Sequence, residues 1–127
     1  MPNTASLPVE RTALVVDDEP TVRMLARTIL SAAGFSVPEA ADSKSARETV
    51  KNASRTFDLI FLDLSLLGES GAALIPEFRA QSPGSRILLV SGSGAESATR
   101  HAADGFLSKP FTRAALLNAV QAVFPKV

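Results

Sequence analysis

The chain has no cysteine, tryptophan or tyrosine, and one histidine, His101, in 127 residues. Without thiols there is no disulfide framework, no thiolate nucleophile and no cysteine-ligated metal, an absence that suits a reducing compartment. Without tryptophan, indole quenching cannot report ligand binding. Charge of one sign is also missing: 13 Lys and Arg balance 13 Asp and Glu. A net charge of zero leaves no basic footprint for nucleic acid and no polybasic anchor for a membrane. Long hydrophobic runs are absent too, the longest being of strand length against the roughly 20 residues that span a bilayer. Residues 1–10 lack the basic start and apolar stretch of a secretory signal. No nucleic acid and no membrane are therefore expected as partners, and a cytoplasmic location is the simplest reading.

Against these absences, hydrophobic residues make up 46% of the chain and charged residues 20%, an ordinary globular balance. The length suits one domain, since domains cluster at roughly 100–150 residues. Residues 1–11, polar and carrying Pro2 and Pro8, read as a flexible leader, and residues 12–127 as the folded domain.

Short apolar runs alternate with helical patterns. Ala13-Leu14-Val15-Val16, Leu59-Ile60-Phe61-Leu62 and Ile87-Leu88-Leu89-Val90 are the uninterrupted runs expected of strands buried on both faces. Phe35-Ser36-Val37 and Phe106-Leu107 are weaker strands. Val22, Leu25, Ala26, Ile29, Leu30 and Ala33 recur at helical spacing after Pro20 and stop at Gly34. Asp42 or Ser43 caps a second helix that turns Ala46, Val50 and Ala53 inward. A third helix is expected from about Ser70 to Gln81, burying Leu74, Ile75 and Phe78, with a kink or a late start at Pro76. A short fourth falls near Glu96–Ala103, and Thr112 opens a fifth carrying Leu116, Leu117, Val120, Val123 and Phe124. Five strand–helix units imply an α/β fold: a doubly wound, five-stranded parallel sheet with right-handed crossovers and helices on both faces.

In such sheets the site lies beyond the carboxyl ends of the strands. The residues there are Asp17 and Asp18, then Asp63, Ser91 and Lys109. Three carboxylates at one edge repel one another, which a divalent cation relieves; an oxygen-rich set of this kind suits Mg²⁺. A carboxylate can attack phosphorus to form an aspartyl phosphate. Phosphoryl transfer needs mainly positioning and neutralisation of the equatorial oxygens, for which Lys109 is the ammonium and Ser91 the hydroxyl. Glu19 reads as a charge favoured at a helix N-terminus rather than a ligand, and His101 as a surface residue. Gly92-Ser93-Gly94 is too short, and wrongly placed, for a nucleotide-phosphate loop.

Val15-Val16-Asp17-Asp18-Glu19-Pro20, Asp58-Leu59-Ile60-Phe61-Leu62-Asp63-Leu64 with Gly68 and Ser70-Gly71, Ser91, and Phe106-Leu107-Ser108-Lys109-Pro110-Phe111 together resemble the receiver domains of two-component response regulators, over residues 12–125. The resemblance implies a flavodoxin-like sheet of strand order 2-1-3-4-5. It implies Asp63 as the phosphoacceptor, and Asp17 and Asp18 holding Mg²⁺, directly or through water, with Asp63 and the backbone carbonyl of Ser65. It implies Lys109 on a phosphoryl oxygen, before a cis bond to Pro110. Ser91 and Phe106 are the implied switch pair, the hydroxyl turning to the phosphoryl group and the ring following inward. The implied function is a phosphorylation switch charged by a sensor histidine kinase or histidine phosphotransfer protein. Such a domain catalyses its own phosphotransfer and autodephosphorylation without being a turnover enzyme. Its output is contact with a downstream protein or onward phosphorelay.

Three departures stand out. Leu67 replaces a usual proline, Gly92 replaces a usual alanine, and the segment from Ser91 to Phe106 is shorter by about one helical turn, roughly four residues, so the fourth helix is expected to be shortened. Small residues at Ser65 and Ser93 give water access to the acyl phosphate and imply a short-lived phosphorylated state. A metal-dependent phosphatase with an Asp-x-Asp pair is the rival enzyme class, but Ser65 stands where its general acid belongs. A phosphorylation-independent binding module is the other rival.

Overall fold

The computed structural model describes residues 11–54, 56–66, 69–70, 73–92 and 102–124. The expected leader 1–10, Leu67, Ser93, His101 and most of the expected short fourth helix lie outside them. In chain order the elements are β1 (Arg11–Val16), α1 (Pro20–Ala32), β2 (Phe35–Ser36), β3 (Glu39–Ala40), α2 (Ser43–Asn52), β4 (Leu59–Asp63), β5 (Ser65–Leu66), β6 (Glu69–Ser70), α3 (Leu74–Gln81), β7 (Arg86–Ser91), β8 (Gly105–Ser108) and α4 (Arg113–Val123). Arg11, assigned to the leader from sequence, is instead the first residue of β1 and pairs with Phe35. Helix α4 stands where the sequence predicts the fifth.

The main sheet runs β2-β1-β4-β7-β8, parallel at every pairing. This is the doubly wound, flavodoxin-like α/β order expected. Its second lane is broken: β2 and β3 both pair with β1, and between them Pro38 has no N–H to give. The lane continues because the Pro38 carbonyl still accepts from the Val15 N–H at 3.0 Å. Val37, expected in the strand, falls in the gap.

Alternation along the central strands sorts their side chains onto two cores. Ala13, Val15, Phe61, Leu88 and Val90 face α1 and α4 through Ala26, Ile29, Leu30, Leu116, Val120 and Val123. Leu14, Val16, Ile60, Leu62, Ile87 and Leu89 face α2 and α3 through Ala46, Val50, Leu74, Ile75 and Phe78. A strand buried on both sides reads as a continuous apolar run for this reason.

Helix starts follow their local chemistry. Pro20 opens α1, where its missing N–H is no loss, and Gly34 ends the turn at φ 103°. Leu25 and Ala33, expected inward, are exposed; the stripe that faces the core is Val22, Ala26, Ile29 and Leu30, and Leu25 lies beside it. Asp42, of the two candidates, caps α2: its carboxylate accepts from Ser45 N–H at 2.7 Å in a reciprocal capping box. Thr112 caps α4 through Ala115 N–H. Helix α3 starts late, at Leu74 rather than Ser70, so Pro76 falls in the first turn, whose N–H groups have no intrahelical partner.

Helix α4 packs hard against β8 because Gly105 has no side chain. A Cβ placed there would meet Val123 Cγ1 at 2.5 Å and Leu88 Cδ1 at 3.3 Å. Gly105→Ala is expected to lower the free energy of unfolding by about 1–3 kcal/mol, the usual cost of overpacking a core. Urea denaturation checks this, and an unchanged midpoint would contradict it.

Candidate functional site

Four strands end at one rim, and the residues at or just past their ends meet there. Asp17 follows β1, with its N–H on the Ala40 carbonyl (3.1 Å) and its own carbonyl accepting from Arg23 Nη1 (2.7 Å). The chain then turns sharply: Glu19 N–H donates to Asp17 Oδ1 at 2.9 Å, and Pro20 begins the helix. Asp63 is the last residue of β4, opposite Val90 in the register. Leu64 N–H on the Val90 carbonyl holds the chain beyond it, and Ser65 N–H donates to Asp63 Oδ1 at 3.2 Å. Lys109 leaves β8 with its N–H on the Ser91 carbonyl at 2.8 Å, and its peptide bond to Pro110 is cis.

The side chains converge. Lys109 Nζ lies 2.9 Å from Asp17 Oδ2, 3.2 Å from Glu19 Oε1 and 3.4 Å from Asp63 Oδ1. Asp17 and Asp63 are buried at 0% and 2% exposure, so neither is the solvated strand-end acid that an isolated aspartate would suggest. One carboxylate oxygen from each of Asp17, Asp18 and Asp63 falls within 4.8 Å of the others. Of the residues singled out from sequence, these three and Lys109 are brought together. Ser91 ends β7 and is buried. Phe106 is half-buried in β8, opposite Leu89, and packs toward the core on the α2–α3 side. Ser65 stands at the start of a small antiparallel ribbon, β5 with β6.

Acids that cannot reach water resist ionising together. Burial, then the Asp17 charge, pushes the Asp63 carboxyl up to about 6, against the weaker pull of Lys109 and the Ser65 N–H. Burial also disfavours the Lys109 charge, but the hydrogen bond and charge of Asp17, with Asp63 and Glu19, outweigh it and hold that ammonium above its ordinary range. Asp17 Oδ2 is sealed from solvent, and its described neighbour is the Lys109 ammonium at 2.9 Å. Three clustered carboxylates facing a single ammonium fit a hard divalent cation, which prefers oxygen ligands.

Glu19 was not expected to reach the site. Its place beside Asp18 was visible, but its contact with Lys109, 90 residues away, depends on β8. Arg23 and Glu39 were not singled out either. They meet 3.4 Å apart beside the Asp17 turn.

Comparison with known proteins identifies the family and the fold. The response regulator receiver domain family matches residues 13–121, and the chain belongs to that family. It is 31% identical over 119 residues to the sensor kinase CckA of Brucella abortus, covering 91% of this chain and 13% of that protein. It spans between 13% and 50% of the length of four such curated relatives. A response regulator protein from Burkholderia pseudomallei, solved with a phosphorylated aspartic acid, calcium ion and citrate, superimposes with TM-score 0.78 at 29% identity, over 88% of this chain and 67% of that one. The response regulator TrrA from Thermotoga maritima, in complex with Mg²⁺-BeF, superimposes with TM-score 0.80 at 27% identity, over 90% and 99%.

The raised Asp63 value gives the fold a pH dependence. The unfolded carboxyl titrates near 3.8 and the folded one near 6, so the fold binds the extra proton. The stability tied to that proton is complete below pH 3.8 and is lost as pH rises through about 6. In chelator, the stability of Asp63→Asn relative to the native protein is expected to rise between pH 4 and 7 by roughly 2 kcal/mol. Urea unfolding at both pH values checks it; a pH-independent difference would contradict it.

Proposed function

We propose that this chain is a Mg²⁺-dependent phosphorylation switch whose acceptor is Asp63. The observation that carries the proposal is the convergence of Lys109 on Asp63 and Asp17, 3.4 Å and 2.9 Å away, beside the three-carboxylate cluster. Asp17, Asp18 and Asp63, with the Ser65 backbone carbonyl, would hold Mg²⁺ directly or through water. When bound, the ion supplies positive charge for the phosphoryl oxygens. An Asp63 carboxylate oxygen forms a bond to phosphorus as the P–N bond of a phosphohistidine donor breaks, and the leaving imidazole recovers a proton from water. Lys109 exchanges part of its contact with the carboxylates for a phosphoryl oxygen. The Ser91 hydroxyl turns to donate to another, and Phe106 follows it inward, so one state of the β7–β8 face is favoured by contacts present only after phosphorylation.

The donor is a sensor histidine kinase or a histidine phosphotransfer protein, a reading supported by the likeness to the CckA sensor kinase. The signal leaves through a downstream protein or by onward relay. Asp63 is consumed and regenerated in its own transfer and autodephosphorylation, so the chain is a switch and not a turnover enzyme. We place it in the cytoplasm; among the described residues no helix is long and apolar enough to cross a membrane. The small Ser65 leaves room for water, which favours a short-lived phosphorylated state.

Incubation with a small phosphodonor and Mg²⁺, followed by intact mass measurement, tests the proposal. One phosphoryl adduct is expected on the native protein, none on Asp63→Asn, and a yield lower by about 10²-fold or more for Lys109→Ala, as for loss of one charge-stabilising donor. An adduct that persists in Asp63→Asn, or none on the native protein, would overturn it.

A further inference from the structure

Asp17 is gripped through its backbone as well as its side chain. Its N–H donates to Ala40 on β3, at 3.1 Å, and its carbonyl accepts from Arg23 Nη1 at 2.7 Å. Arg23 is itself held: its Nε lies 3.4 Å from Glu39 Oε1, and Glu39 immediately precedes Ala40. The contacts close a ring, from Asp17 to β3, through Glu39 to Arg23 on α1, and back to Asp17. Glu39 also meets Arg27 at 3.1 Å, but the Arg27 side chain is 60% exposed against 18% for Arg23.

The acidic turn needs such a hold. The two residues after Asp17 are also acids, and one oxygen from each of Asp17, Asp18 and Asp63 lies within 4.8 Å of the others. Repulsion among these carboxylates acts to open the turn whenever no cation is present. A guanidinium on the Asp17 carbonyl resists that opening through the backbone, without using an Asp17 carboxylate oxygen. A planar fork can serve the carbonyl and Glu39 at once, whereas an ammonium is a single point donor.

We propose that Arg23 and Glu39 are positioning residues that set the acidic turn for cation binding, an inference that rests on the Mg²⁺-dependent reading above. Outer partners of this kind govern the affinity of a metal site without touching the metal.

The full chain is titrated with Mg²⁺ by calorimetry, and amide hydrogen exchange at Glu19, whose N–H spans the turn, is followed without metal. Urea stability is measured alongside, to separate a local loosening from general loss of fold. Arg23→Ala is expected to weaken Mg²⁺ binding about tenfold and to speed Glu19 exchange. Arg23→Lys should recover part of both. Glu39→Ala should act in the same direction by about threefold, the scale of a partly exposed ion pair, and Arg27→Ala should leave both unchanged. Native affinity and native Glu19 exchange in Arg23→Ala would overturn the proposal. Should that variant not fold, the same result in Glu39→Ala would overturn it. A native protein that binds Mg²⁺ but accepts no phosphoryl group would remove the switch reading alone. The Glu19 exchange rates judge the brace even if Mg²⁺ does not bind.

Discussion

Two aspartates that cannot reach water, set against one lysine, are the constraint on which this molecule turns. Asp17 and Asp63 share the Lys109 ammonium at 2.9 and 3.4 Å, and both lie under a rim that excludes solvent from their carboxylates. One positive charge facing this many acids leaves the pocket short of cation. That shortage is what the proposed divalent ion would relieve when it binds with a phosphoryl group. The fold sustains the unfavourable arrangement because the two apolar cores below the rim hold the strands regardless of what their ends carry.

The opposite rim shows what the same residue type does when structure is its whole task. Asp58 accepts from Thr12 N–H at 2.8 Å across the β1–β4 start, and Asp104 accepts from Ile87 N–H at 2.7 Å and pairs with Arg79 at 2.9 Å. Those acids tie off strand beginnings, each met by donors that satisfy it. At the carboxyl rim the acids face one another instead. The contrast separates aspartates satisfied by donors from aspartates crowded against one another on physical grounds.

Much of this was legible in the chain. Apolar runs ending in Asp17, Asp63 and Ser91 announced the central strands and the residues at their carboxyl ends, since a parallel strand buried on two faces has no alternation to hide. Pro20 and Thr112 marked helix starts through chemistry that is local. What escaped notice was non-local or fine-grained. Glu19 reaches Lys109, and Arg23 reaches Glu39, only because β8 and β3 bring them there. Pro38 splits a lane whose pairing partner cannot be read from composition, and Leu25 sits at the border of an apolar stripe, where periodicity alone does not decide burial. The tight contact of α4 on β8 at Gly105 has no signature in the sequence, because it depends on Val123 and Leu88 being brought against it.

The account is tested most directly by the protons that Mg²⁺ displaces. Calorimetric titration at pH 6 in two buffers of different ionisation enthalpy counts them. A cation that relieves a carboxyl titrating near 6 must expel about half a proton per ion bound at that pH, falling toward none at pH 8. Binding with no proton release at pH 6, or no binding at all, would contradict the claim that a cation resolves the crowding of Asp17 and Asp63.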